Sequence, residues 1–100
     1  MKINNQVSFT SQFITSAQKG TEEAQKIMTF ARVVKARLAL EAGIKPIQLD
    51  CYTGFVSEKK GYRTLLIDVI DTLDVALQKS AEFFGIKLEA PSKKYNLEEF

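Results

Sequence analysis

Two stops of the same build divide this chain and limit how it can fold: Ala42-Gly43-Ile44-Lys45 and Phe84-Gly85-Ile86-Lys87. Glycine takes the left-handed conformation that ends a helix at little steric cost, and an apolar residue after it can fold back onto the last turn. Each stop predicts a helix that terminates there, followed by an extended stretch. The 42-residue spacing would suit a duplicated helix-plus-strand unit. The rest of the two stretches does not align, however, and Gly followed by an apolar residue is simply a common way for a helix to end.

The helix ending at Gly43 also has a readable beginning. Thr21 suits the N-cap, Glu22 and Glu23 lie where the positive end of the helix dipole favours carboxylates, and Pro46 forbids continuation. This predicts a helix over 22–42. Upstream, Thr10 and Phe9 read as a cap and staple for a helix over 11–19 with Phe13, Ile14 and Ala17 on one side, closed by Gly20. Downstream, Tyr62, Leu65, Leu66, Val69, Ile70, Leu73, Ala76, Leu77, Phe83 and Phe84 recur at helical spacing, which predicts a third helix over 62–84. Between them, Ile47, Leu49 and Cys51 alternate with polar residues in an extended segment at 45–56.

The expected fold is therefore mainly α, with the second and third helices as a core pair and the first packed across them. The alternative is α+β, with two short strands flanking the last helix, at 45–56 and around Lys87-Leu88-Glu89. One hundred residues with 45% hydrophobic content suit a single domain over 1–100, with residues 1–8 and 91–100 as flexible ends. Tyr95, Leu97 and Phe100 are docking residues on the last stretch.

Composition argues against most chemistries. The chain has no histidine, so the usual base near neutral pH and the commonest metal ligand are missing. Its single cysteine, Cys51, has no intramolecular disulfide partner, no histidine to activate it and too few companions for a zinc site. Asp68, Asp71 and Asp74 are candidates for magnesium, but on a helix they fan across the polar face and read as a solvated surface. The glycines form no phosphate-cradling motif. No catalytic, metal-binding or cofactor-binding residue is assigned. No apolar run is long enough to span a membrane, no secretory signal opens the sequence, and cytoplasmic residence is expected.

One feature calls for cover, either by the first helix and the extended segment of the same chain or by another chain. In the helix over 22–42, Ala24, Ile27, Met28, Ala31, Val34 and Leu38 make the main apolar stripe, while Phe30, Val33 and Leu40 stand on another side with Arg37 among them. The function expected is a non-enzymatic protein–protein interaction module that self-associates through Phe30, Val33, Arg37 and Leu40, its partner a second copy or another protein. Ranking second is a small nucleic-acid-binding regulator using Lys59, Lys60 and Arg63, since the net charge of +2 offers phosphates little attraction.

Overall fold

The computed structural model describes residues 11–96. Along the chain come β1 (Ser11–Gln18), α1 (Glu22–Ala42), β2 (Cys51–Val56), β3 (Tyr62–Val69) and α2 (Asp74–Phe83), with 3-10 turns at Pro46–Gln48 and Asp71–Leu73. The strands form one antiparallel sheet in the order β1-β3-β2. Consecutive β2 and β3 make a hairpin, and β3 lies between β1 and β2, which run parallel to one another. After α2 the chain returns to the far edge of β1, where Glu89 and Ile14 exchange backbone hydrogen bonds of 2.7 and 2.9 Å. Strand, helix, hairpin, helix and final bridge follow the split β-α-β-β-α-β plan, with the sixth element reduced to one residue pair.

The fold is α+β and not mainly α with three helices, which corrects two of the three expected helices. Residues 11–18 are a strand, and the stretch expected as a helix over 62–84 is a strand to Val69 and an α-helix only from Asp74. The reason lies in β3, whose residues Thr64 to Val69 are all buried. Leu65, Ile67 and Val69 join the core on the helix side, while Thr64, Leu66 and Asp68 point the other way. A strand buried on both faces shows no alternation, so its apolar positions fit a helical period equally well. The α+β alternative also misplaces the sheet. Its strands at 45–56 and around 87–89 do not pair together: Cys51–Val56 pairs with β3, and only Glu89 is bridged, to Ile14.

The helix over 22–42 forms as its punctuation predicts. Thr21 Oγ1 accepts from the Ala24 amide at 3.2 Å, and Gly43 is left-handed at φ 73°. The Ile44 amide donates to the Ala39 carbonyl at 3.1 Å. Gly85 repeats the device at φ 71°, with the Ile86 amide on the Ala81 carbonyl at 2.9 Å. In the core, Ala24, Ile27, Phe30, Val34 and Leu38 of α1 cluster with Leu65, Ile67 and Val69 of β3 and Leu77 and Ala81 of α2.

The outer sheet face is closed partly by the chain's last described segment. Gln12 Nε2 donates to Asp68 Oδ2 and to the Tyr95 carbonyl, and Gln12 Oε1 accepts from the Tyr95 amide, all at 2.8 Å. On β2, Tyr52 lies back over Gly54, where any side chain would meet its hydroxyl. The expected cap at Thr10, the staple at Phe9, the flexible end at 1–8 and the docking residues Leu97 and Phe100 lie outside the described residues.

Candidate functional site

The expected interface residues separate. Phe30 is fully buried, its ring 5.6 Å from that of Phe84, so it belongs to its own chain's core and is withdrawn from any contact surface. The helical wheel misled here because α1 packs against both the sheet and α2, and its second apolar side is covered in part by the chain itself. Val33 is half-buried. Arg37 bonds Glu41 at 2.6 Å and lies 4.0 Å above the Phe83 ring, a guanidinium held between a carboxylate and an aromatic face. Leu40 alone stands clear, 67% exposed.

The basic cluster lies at the hairpin between β2 and β3. Lys59 Nζ is 4.4 Å above the Tyr62 ring, and Arg63 is 5.5 Å above that of Phe55. Two of the three cations thus already have aromatic partners within the chain.

Asp68, Asp71 and Asp74 do not share a solvated helix face. Asp68 sits on β3 and is buried, whereas Ser11 Oγ donates to Asp71 at 2.6 Å and to Asp74 at 3.3 Å. Burial pushes the Asp68 carboxyl above its ordinary range, against the hydrogen bond from Gln12 and the charge of Lys94. Its Oδ1 is buried with no hydrogen-bond partner among the described residues. Cys51 is buried at the start of β2, and its thiol is pushed up to about 11 by burial, with Lys35 lowering it and Asp68 raising it. Such a thiol stays protonated near neutral pH and is a poor nucleophile. Among the described residues no three His, Cys, Asp or Glu side chains stand close enough to hold a metal ion. No helix among them is long and apolar enough to cross a membrane.

A pocket of about 260 Å³ opens where the segment after α2 parts from β1, lined by Ile14, Ser16, Glu23, Lys26, Ile86 and Glu89 among others. Its charges are of both signs, Glu23 and Glu89 against Lys26 and Lys87.

What the sequence reading missed is a run of exposed apolar side chains. Leu40 (67%), Ile44, Ile47 (91%) and Phe55 lie along the end of α1, the Pro46–Gln48 turn and β2. Ile47 belongs to the alternating pattern of the segment at 45–56, but it lies in the turn beginning at Pro46 and faces outward. The outer edge of β2 belongs to the same stretch of chain. Six residues, Cys51-Tyr52-Thr53-Gly54-Phe55-Val56, form that edge without a charge or a proline, and no other described strand pairs with it.

No family model, no curated protein and no solved structure matches the chain.

Proposed function

We propose that the chain is a non-enzymatic, self-associating protein–protein interaction module of the cytosol. Its contact surface is the side built by the end of α1, the Pro46–Gln48 turn and β2. One observation carries this reading: four of the six large hydrophobic residues exposed among those described, Leu40, Ile44, Ile47 and Phe55, fall on that stretch, the other two being Val75 and Phe83. Scattered apolar side chains are ordinary on a surface, but a concentration of them marks a contact. Covering a large apolar side chain fully contributes about 1.5–3 kcal/mol. A two-fold pair covers all four in both copies, a gain set against an association cost of roughly 4–15 kcal/mol.

Light scattering at tens of micromolar tests the reading. The expected mass is twice that of the chain, falling to a folded monomer in Ile47→Glu and weakening in Leu40→Glu, since both side chains face water in the single chain. A monomer at every concentration overturns it. Binding to mixed-sequence DNA that falls steeply with salt and is lost on replacing Lys59 and Lys60 by alanine would favour the nucleic-acid reading instead.

A further inference from the structure

We infer that the second copy joins along β2, antiparallel to its counterpart, with Thr53 on the two-fold axis, so that two sheets become one of six strands. The inference rests on the self-association proposed above and adds the contact and its register.

The backbone fixes which groups of β2 point away from β3, toward the edge that no other described strand occupies. Ile14 exchanges hydrogen bonds with Glu89, so its N–H and C=O point away from β3. Ile14 is opposite Leu66, which is opposite Gly54. Leu66 must then direct its own N–H and C=O toward Gly54, because bonded and non-bonded pairs alternate along an antiparallel ladder. Tyr52, Gly54 and Val56 therefore point inward to β3, and Cys51, Thr53 and Phe55 present theirs to the open edge.

An antiparallel partner bonds through those three residues. Pairing Thr53 with its own copy sets Cys51 opposite Phe55 and Phe55 opposite Cys51, about six hydrogen bonds in all, with every paired residue inside the strand. Centring on Gly54 would require Ser57, which lies beyond the strand's end.

Side chains agree with this register. Opposite residues share a sheet face. Thr53 meets Thr53 on the helix side, and Phe55, 45% exposed, crosses to the end where the partner's strand begins, the end that carries Ile47. On the outer face Tyr52 falls opposite Gly54, which has no side chain of its own and is covered by the Tyr52 of its own strand. No charged residue is paired with another. Asp50, just before the strand, is carried toward the partner's hairpin end, where Lys59, Lys60 and Arg63 outnumber the one acid, Glu58. An open edge of this kind recruits another strand unless a charge, proline or bulge blunts it, and β2 has no charge and no proline.

Two measurements on the full chain test the register. The Thr53 amide points outward, so Thr53→Pro removes two bonds of the dimer, one from each copy, and none of the monomer's ladder. It is expected to give a folded monomer by light scattering and circular dichroism, while Thr53→Val stays dimeric. Amide exchange in the unaltered chain is the second measurement and needs no variant. Thr53 and Phe55 should exchange about tenfold or more slower at high concentration than on dilution below the dimer's dissociation constant. A wild-type monomer overturns self-association itself. A wild-type dimer whose Thr53→Pro variant is also a folded dimer, or whose Thr53 amide exchanges fast throughout, overturns the register alone. Protection that survives dilution assigns the edge to another segment of the same chain and also overturns it.

Discussion

The run β1, α1, β2 and the run β3, α2, Glu89 trace the same path from strand to helix to extended segment, at different lengths. α1 has 21 residues and α2 has ten; β2 has six, and its counterpart is a single bridge. The stops are alike, with Gly43 and Gly85 both left-handed and Ile44 and Ile86 both bonded back to the last helical turn. The runs diverge before the stop in helix length and after it in what the extended segment pairs with. β2 finds β3 as a neighbour in a hairpin, whereas the segment after Gly85 reaches β1 only shortly before Pro91, which has no N–H to continue a ladder. The sheet is left with two unlike edges, one blunted by Glu89 and one open along β2.

Four substitutions break or sharpen this comparison. The largest effect belongs to Phe30, which joins the halves by packing on Phe84 beside the second stop. Phe30→Ala is expected to cost about 3–5 kcal/mol in urea unfolding. A cost below about 1 kcal/mol, usual for exposed positions, would show that the halves do not interlock there. Next come Gly43→Val and Gly85→Val, each expected to cost about 1–2 kcal/mol from the left-handed backbone. A side chain at Gly43 would meet nothing within 4 Å, and at Gly85 only Lys26 Nζ at 3.7 Å, so the costs should match. A neutral Gly85→Val would show the second stop to be of a different kind.

The smallest effect is at Asp68, buried between the second half's strand and Gln12 of the first. Its folded pKa is raised, so the fold favours the protonated acid. That contribution is full below the unfolded carboxylate pKa and is lost as pH rises through the folded value. Asp68→Asn should unfold at a higher urea concentration than the wild type at pH 7, with the gap closing as the solution is acidified below the ordinary carboxylate range. A gap independent of pH would remove ionisation as the cause.

Where local chemistry decides structure, the residues were readable. Thr21, Glu22, Glu23, Gly43 and Pro46 bounded α1 at its observed ends, because caps and breakers act within a turn. β1 and β3 were not readable, because long-range packing decides them. Gln12 and Thr15 of β1 are buried beside neighbours far away in sequence, and nothing near them announces that cover. Leu65-Leu66-Ile67 gives no period that distinguishes a central strand from a helix. The same gap explains Phe30: its apolar side was plain, but its cover by Phe84 depended on how α2 returned.

The position of β3 also orders events in time. β2 and β3 close as a hairpin over a short turn, so their pairing demands little of the chain. β1 must wait for a partner made much later: Ser16 and Thr64, joined at 2.8 Å, stand 48 positions apart. The Gln12–Tyr95 contact spans 83 positions and needs nearly the whole described chain in place. The least costly closure therefore lies in the middle of the sequence, and Gln12, held to Asp68 on one side and Tyr95 on the other, carries contacts that span most of the described chain.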